Sequence, residues 1–234
     1  GVMLGVAVLI IVTSVFSGFH LQLKKTFFQF SADVQVRQVV GDEFGNMIGV
    51  PIENYSDLAE RMAKVGGVKG AMPIVAGKVM LETQPEGAEP QFDAPRLIGV
   101  DEEGMRKVSM VPQSMVAGEF DLSGNGLVVG YNFGRPDGLF RLGVGDRVSI
   151  YSPQSLKEMK ESRETLGILP LEYTVKGVFD AGQGELNDFI FCDLWKAQDL
   201  YHIEDDIAHM IWVETDQPLN LMPVTVGLQK EIGS

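Results

Sequence analysis

The stretch at residues 67–82 reads GVKGAMPIVAGKVMLE, and it predicts a long β-strand from Ala71 to Glu82. Before it, Leu58 to Val65 has the spacing of a short helix that Asn54 or Ser56 can cap, and Gly66–Gly67 ends that helix. The strand therefore follows a helix, and the two together predict a compact β-α-β type of unit.

The residues on either side of this unit extend the pattern. Val34 to Val40 alternates apolar and polar side chains, as a half-buried strand does, and Arg96 to Val100 is a short apolar strand. A loop rich in Pro and Gly separates the long strand from Arg96–Val100. The chain up to about Val100 thus predicts the order β-α-β-β.

A second set of elements follows. Three strands are predicted, at Arg147 to Tyr151, Glu172 to Phe179 and Asp188 to Cys192. Asp193 can cap a helix to Tyr201, His209 to Glu214 is a strand, and Asn220 can cap a final helix. This last strand and helix echo the first β-α unit. The fold class predicted is α+β, with a discontinuous subdomain built from both ends and a β-rich subdomain inserted between them.

The first nineteen residues are GVMLGVAVLIIVTSVFSGF, and no charge occurs before Lys24. At about 1.5 Å per residue, this helix nearly crosses a hydrocarbon core of about 30 Å. A cleaved signal peptide would have a basic start and an AxA-like site, which are absent here. We therefore expect the end of a transmembrane helix, with a signal-like segment and a buried core helix as alternatives.

An aromatic stripe continues from this helix at steps of three and four residues. Its members are Phe16, Phe19, Leu23, Phe27 and Phe30. Lys24 and Lys25 lie off the stripe, so an amphipathic extension at the membrane interface is predicted. The functional interpretation is a wall that faces lipid or substrate. The alternative is that the stripe packs on the following domain.

Composition excludes several classes of function. The formal net charge is −13, from 19 Lys and Arg against 32 Asp and Glu, and no basic patch is longer than Lys24–Lys25, so we expect no nucleic-acid partner. Cys192 is the only cysteine, which excludes an intrachain disulfide and a CxxC metal site. Because it lies in an apolar strand, we expect an inert, packed thiol.

Motifs for catalysis are missing. The sequence contains no GxxxxGKS/T, no HExxH and no GxSxG. His202 and His209 flank the acidic residues Glu204, Asp205 and Asp206, but a metal site needs convergent ligands, and solvated surface groups are the preferred interpretation. We therefore predict no catalytic residue, no metal and no cofactor.

Several short stretches, in this order, carry a family resemblance. They are ADVQV at 32–36, GVKGAMPIV at 67–75, IGVD at 98–101, LGVGDRV at 142–148 and VKGVFDAG at 175–182. Preceded by an apolar span and a Phe-rich extension, they resemble the permease subunit of the bacterial lipoprotein-releasing ABC transporter. More broadly, they resemble the MacB-like and FtsX-like permeases. The resemblance covers nearly the whole chain, although no single motif is diagnostic.

The resemblance implies three parts. Residues 1–32 would be the end of the first transmembrane helix with its extension, 33–102 plus 207–234 a membrane-proximal subdomain, and 103–206 the inserted β-rich subdomain. A protruding hook that binds a carrier would lie between the strands at 147–151 and 172–179. Its residues would be Gly167, Ile168, Leu169, Pro170 and Leu171. A charged loop without fixed structure is the alternative for this segment.

The function implied is that of a non-catalytic permease subunit that passes outer-membrane lipoproteins to a periplasmic carrier. Its implied partners are a cytoplasmic ATP-binding subunit, a second permease subunit (the same or a homologous one), the carrier and the lipoprotein substrate. The implied location is the bacterial inner membrane, with this domain in the periplasm. The alternative is an FtsX-like or MacB-like permease that regulates a cell-wall hydrolase or exports another amphiphile.

The predicted span fixes an expected topology. Because cytoplasmic flanks of membrane spans carry the excess of Lys and Arg, the acidic region after the span should lie outside the cytoplasm. A reporter that is active only after export should be active when it is fused after Glu82. The opposite result, activity only of a reporter that works in the cytoplasm, would contradict the predicted orientation.

Overall fold

A computed structural model describes residues 30, 32–41, 47–84, 89–155, 157, 170–182, 185–218 and 220–233. The predicted span at 1–19 and the first four members of the aromatic stripe lie outside these residues. Within the described part of the chain, no helix is both long and apolar enough to cross a membrane.

The elements whose bounds the structure describes are fifteen strands and five α-helices. The strands are β1 Val34–Val36, β2 Gln38–Gly41, β3 Met47–Val50, β4 Ile52–Glu53, β5 Val68–Lys78, β6 Met80–Thr83, β7 Phe92–Asp93, β8 Arg96–Val100, β9 Met115–Gly118, β10 Gly126–Gly130, β11 Arg147–Tyr151, β12 Leu171–Phe179, β13 Phe189–Asp193, β14 Ile207–Ala208 and β15 Met210–Thr215. The helices are α1 Tyr55–Ala63, α2 Glu102–Val108, α3 Tyr131–Gly134, α4 Leu194–Tyr201 and α5 Met222–Ile232.

Eleven strands join one mixed sheet in the order β1-β15-β5-β8-β13-β10-β12-β11-β6-β7, and β9 pairs with β12 beside this path. Two further pairs, β4 with β14 and β2 with β3, form small sheets of their own. This mixed architecture with few helices confirms the predicted α+β class.

Strand β5 connects two parts of the large sheet. Its first half, Val68–Ile74, pairs antiparallel with β15, and its second half, Val75–Lys78, pairs antiparallel with β8. The prediction of one continuous strand from Ala71 to Glu82 is wrong at Val79. There the backbone N–H donates to the Pro95 carbonyl at 3.1 Å, and the chain continues as β6, which pairs with β11 instead.

Some of the other predicted strands and helix caps agree with the structure, and others do not. The strands Arg96–Val100 and Arg147–Tyr151 are confirmed at both ends, and the Asp193 carboxylate caps α4 by accepting from the Trp195 N–H at 3.1 Å. The cap at Asn220 is wrong, because Leu221 occupies the capping position of α5 and makes no side-chain bond there. Asn54 precedes α1 in a left-handed conformation, also without a side-chain cap.

Both faces of the central strands are buried. Along β10, Leu127 and Val129 pack into a first apolar cluster with Leu200 of α4, whereas Val128 packs into a second cluster with Met105 of α2. Such alternation follows from the two-residue period of a strand. Helices on opposite faces therefore exclude water from the middle of the sheet.

A third cluster lies where the two ends of the chain meet. Met62 of α1 and Leu228 of α5 pack with Ile211 and Val213 of β15. All members of this cluster come from the two segments predicted to form the membrane-proximal subdomain. Strands of both predicted subdomains nevertheless share the large sheet, and the division into 33–102 plus 207–234 and 103–206 stays a prediction.

An acidic pair sits beside this third cluster. The Asp33 carboxylate accepts from the Thr215 N–H at 3.0 Å and from the Thr215 hydroxyl at 2.7 Å. Partial burial, reinforced by the negative charge of Asp33 and opposed by Lys69, raises the pKa of Glu214 to about 7 from an ordinary value of 4.5. The ionised Glu214 carboxylate is thus disfavoured in the folded chain.

Replacing Glu214 with Gln should stabilise the protein above pH 7. The folded chain binds this proton more tightly than the unfolded chain, so the wild-type free energy of unfolding loses a contribution as pH rises from 4.5 through about 7. Glu214→Gln removes that loss, and the difference from wild type should vanish below pH 4.5. Urea unfolding of both proteins across this range measures it. Glu172→Gln, at an exposed site on β12, is the matched control, and an equal pH-dependent gain there would contradict the assignment.

Candidate functional site

The connection between β11 and β12 is where the hook was predicted. The two strands are antiparallel neighbours in the sheet, with Ile150 opposite Leu171, so the connecting residues 152–170 leave from the end of a two-strand stem. Gly167, Ile168 and Leu169 lie outside the described residues, whereas Pro170 and Leu171 are described. The stem gives this connection a fixed base.

Polar contacts hold that base in place. The Tyr151 hydroxyl donates to Glu82 Oε2 at 2.7 Å, and this bond to a carboxylate raises the pKa of the Tyr151 phenol. The buried Ser152 hydroxyl accepts from the Ser155 N–H at 3.0 Å and thereby caps a helical turn at residues 153–155. The antiparallel pairing of β6 with β11 also connects this base to the rest of the large sheet.

A small cavity of about 160 Å³ opens beside the stem. Pro170 and Leu171 form one wall, and Leu200 and His202 at the end of α4 form another. The Leu171 side chain is 38% exposed. Cavities that hold whole small molecules usually measure about 300–1,000 Å³, so this one is smaller than a typical small-molecule site.

The last residue of the aromatic stripe is the only one within the described residues. Phe30 is partly buried against the second apolar cluster, and its carbonyl accepts from the Ser109 hydroxyl at 2.9 Å. This is the contact expected if the stripe packs on the domain at this position. The contact with lipid or substrate stays a prediction for the whole stripe, Phe16, Phe19, Leu23, Phe27 and Phe30.

Cys192 and His209 are engaged in structural contacts. Cys192 is fully buried, burial raises the pKa of its thiol, and the thiol donates to the Asp193 carbonyl at 3.4 Å. His209 Nδ1 lies 2.9 Å from the Ala76 carbonyl oxygen and 3.1 Å from the Ala76 nitrogen. Among the described residues, no three His, Cys, Asp or Glu side chains are grouped to hold a metal.

A wider open groove of about 900 Å³ lies between the β6–β7 connection and residues 139–147. Arg141 and Arg147 line it, and Leu139 beside them is 67% exposed. The sequence patterns gave no sign of this groove, because its walls come from two segments far apart in the chain. Only the pairing of β6 with β11 brings those segments together.

Comparison with known proteins shows the family of the chain. A model of the MacB-like periplasmic core domain matches residues 1–224. The chain belongs to this family. A MacB-like periplasmic core domain is the part of a membrane-anchored ABC transporter permease that lies outside the cytoplasm. The resemblance to MacB-like and FtsX-like permeases is thereby confirmed.

Two solved structures share the fold of this MacB-like domain. The periplasmic region of MacB from Actinobacillus actinomycetemcomitans is 12% identical, with a TM-score of 0.51 over 85% of this chain and 80% of that one. The extracellular domain of the ABC-type transporter YknZ from Gram-positive bacteria is 10% identical, with a TM-score of 0.50 over 86% of this chain and 96% of that one. No curated protein sequence matches the chain.

Proposed function

We propose that the chain is part of a permease subunit that releases outer-membrane lipoproteins from the inner membrane to a periplasmic carrier. Membership of the MacB-like family supports the transporter, and the ordered stretches that resemble the lipoprotein-releasing permease support the cargo. In this proposal the subunit itself is non-catalytic and needs no cofactor. A separate cytoplasmic subunit binds and hydrolyses ATP.

The observation that supports the proposal is the antiparallel β11–β12 stem, next to which the hook is predicted. Leu171, the last residue of the predicted hook, is the first residue of β12 and is paired with Ile150. Pro170, at the described end of the predicted hook, fixes its own φ and lacks a backbone donor, which lowers the ordering cost of this position on binding. The carrier would therefore dock at the end of this stem, against Pro170, Leu171 and the cavity beside them.

The proposal also assigns roles to the two predicted subdomains and to a second permease subunit. The subdomain of residues 33–102 plus 207–234 would stand next to the membrane, and the inserted subdomain of residues 103–206 would present the hook to the carrier. A second permease subunit would complete the path through the membrane. Motion produced by ATP binding would reach the hook through the large sheet, because β5 belongs to both of its parts.

Replacing Ile168 with Asp should abolish carrier binding and leave the fold intact. An apolar contact at the centre of a small interface is commonly worth about 2 kcal/mol, which corresponds to roughly thirtyfold in affinity. Carrier affinity and the thermal midpoint are measured on the same protein.

Leu139→Asp is the matched control, since it places the same charge on an exposed leucine near the start of β11, at the opposite end of this strand from the predicted hook. It should leave carrier affinity unchanged. A large fall in the midpoint of Ile168→Asp, or unchanged affinity in a folded protein, would discard the hook.

Replacing Phe27 with Asp should weaken lipoprotein capture and leave the described domain folded. Each acyl CH₂ that the aromatic stripe buries contributes about 0.8 kcal/mol, and a carboxylate on the stripe removes that gain. Gln29→Asp adds the same charge off the stripe and serves as the control. Photo-crosslinkers at Phe19, Leu23 and Phe27 that never label lipoprotein in a working transporter would count against this role.

A second candidate is a MacB-like exporter of another amphiphile, or an FtsX-like regulator of a cell-wall hydrolase. The family model favours it, since that model is named for MacB and not for lipoprotein release. Copurification separates the candidates. A lipidated protein bound to the permease supports lipoprotein release, whereas a hydrolase or an unrelated amphiphile supports the second candidate.

A further inference from the structure

One edge of β5 continues beyond the end of its pairing with β15. That pairing stops at Ile74, opposite Met210, and the Ile74 carbonyl accepts from the His209 N–H at 2.9 Å. The N–H and C=O groups of alternate strand residues point to the same side, so those of Ala76 and Lys78 face this edge as well. Among the described residues, no strand is paired with Ala76 or Lys78 on this side.

Two aromatic side chains bond to this edge where a strand is missing. His209 Nδ1 lies 3.1 Å from the Ala76 nitrogen and 2.9 Å from the Ala76 carbonyl oxygen. The Tyr201 hydroxyl donates to the Lys78 carbonyl at 3.4 Å. The backbone of residues 207–208 does not cover the edge, because β14 pairs with β4 instead. Backbone groups that are shielded from water need such partners, and both His209 and Ala76 are partly buried.

The imidazole can bond to Ala76 in either of its neutral forms. With the proton on Nε2, the His209 Nδ1 atom accepts from the Ala76 N–H. With the proton on Nδ1, the same atom donates to the Ala76 carbonyl. One hydrogen bond between the two residues is thus kept in both forms, and an aliphatic side chain at position 209 would offer neither.

His209 lies at the point where β5 changes partners. Its backbone N–H bonds to Ile74, where the pairing with β15 stops. Its side chain bonds to Ala76, which is paired with Ile98 of β8. A bend of β5 between Ile74 and Ala76 would have to break or lengthen one of these two bonds. His209 therefore resists bending at this point.

We propose that His209 is a positioning residue that couples the two parts of the large sheet. Motion of β15 reaches β8 through the imidazole of His209 as well as through the backbone of β5. From β8 it continues through β13 and β10 to the β11–β12 stem. This inference deepens the transmission of motion in the proposed function and rests on it.

Tyr201 provides a comparison within the same edge. It belongs to α4, which lies against β8, since a β-carbon added at Gly99 would clash with Ala197 of that helix. The bond from Tyr201 to Lys78 therefore stays within the part of the sheet that contains β8. Tyr201→Phe removes the hydroxyl and keeps the ring beside Gly77, so it uncovers the edge without cutting the link between the two parts.

The test uses the full-length permease with its ATP-binding subunit in membranes. It measures how much ATP changes the rate of amide hydrogen exchange in the β11–β12 stem, a readout that needs no cargo. His209→Leu should reduce that change about tenfold, which is within the range for residues that carry coupling between sites. His209→Asn, which has the shape of Leu and can still donate and accept, should keep it. Tyr201→Phe should keep it too.

Four results would overturn the inference. They are no ATP-dependent change in wild type, a full change in His209→Leu, a loss in His209→Asn as large as that in His209→Leu, and an equal loss in Tyr201→Phe. If His209→Leu does not fold, His209→Phe replaces it. Failure of both variants to fold would show a role in folding alone, and it would also overturn the coupling.

Lipoprotein release from the same membranes separates failure of this inference from failure of the proposed function. Release by wild type, together with a full exchange response in His209→Leu, discards the inference alone. A response that is lost in His209→Leu and kept in His209→Asn, in a wild-type system that releases no lipoprotein, discards the proposed function alone.

Discussion

The division of β5 between two partners is the constraint on which the rest of the structure depends. One half of the strand holds β15, and through it β1, while the other half holds β8, and through it the remainder of the large sheet. Because the strand is continuous, β15 and β8 are held at fixed positions relative to each other. The clusters on either side can then pack as a unit, and the β11–β12 stem keeps a fixed relation to residues near the N-terminal segment.

Local patterns in the sequence predicted most single elements. Both ends of the strands Arg96–Val100 and Arg147–Tyr151 were predicted correctly, because each strand is a short apolar run with turn residues on both sides. The break at Val79 could not be predicted, since it depends on Pro95, which is distant in sequence and accepts the Val79 N–H. The order of the strands in the sheet could not be predicted either. A strand that is buried on both faces is apolar throughout, and its sequence does not indicate which strands lie beside it.

The candidate site was predictable in part for a similar reason. The hook segment stands out by its apolar residues next to a charged stretch, and its stem follows from two recognisable strands. The cavity beside the stem could not be foreseen, since it needs Leu200 and His202 from α4. The alternation from Val34 to Val40 predicted one half-buried strand, whereas the chain forms β1 and an exposed β2 there, and β3 was not predicted.

The pairing of β1 with β15 has a kinetic consequence. Val34 lies opposite Val213, so almost the whole domain must be synthesised before these strands can meet. During export, the edge of β5 at Val68–Ile74 has no partner until β15 emerges. An uncovered edge of this kind is prone to pair wrongly with other chains. Until β15 has been exported, the free edge of β5 can therefore pair incorrectly with other chains. Once β15 has paired with β5, that edge is covered.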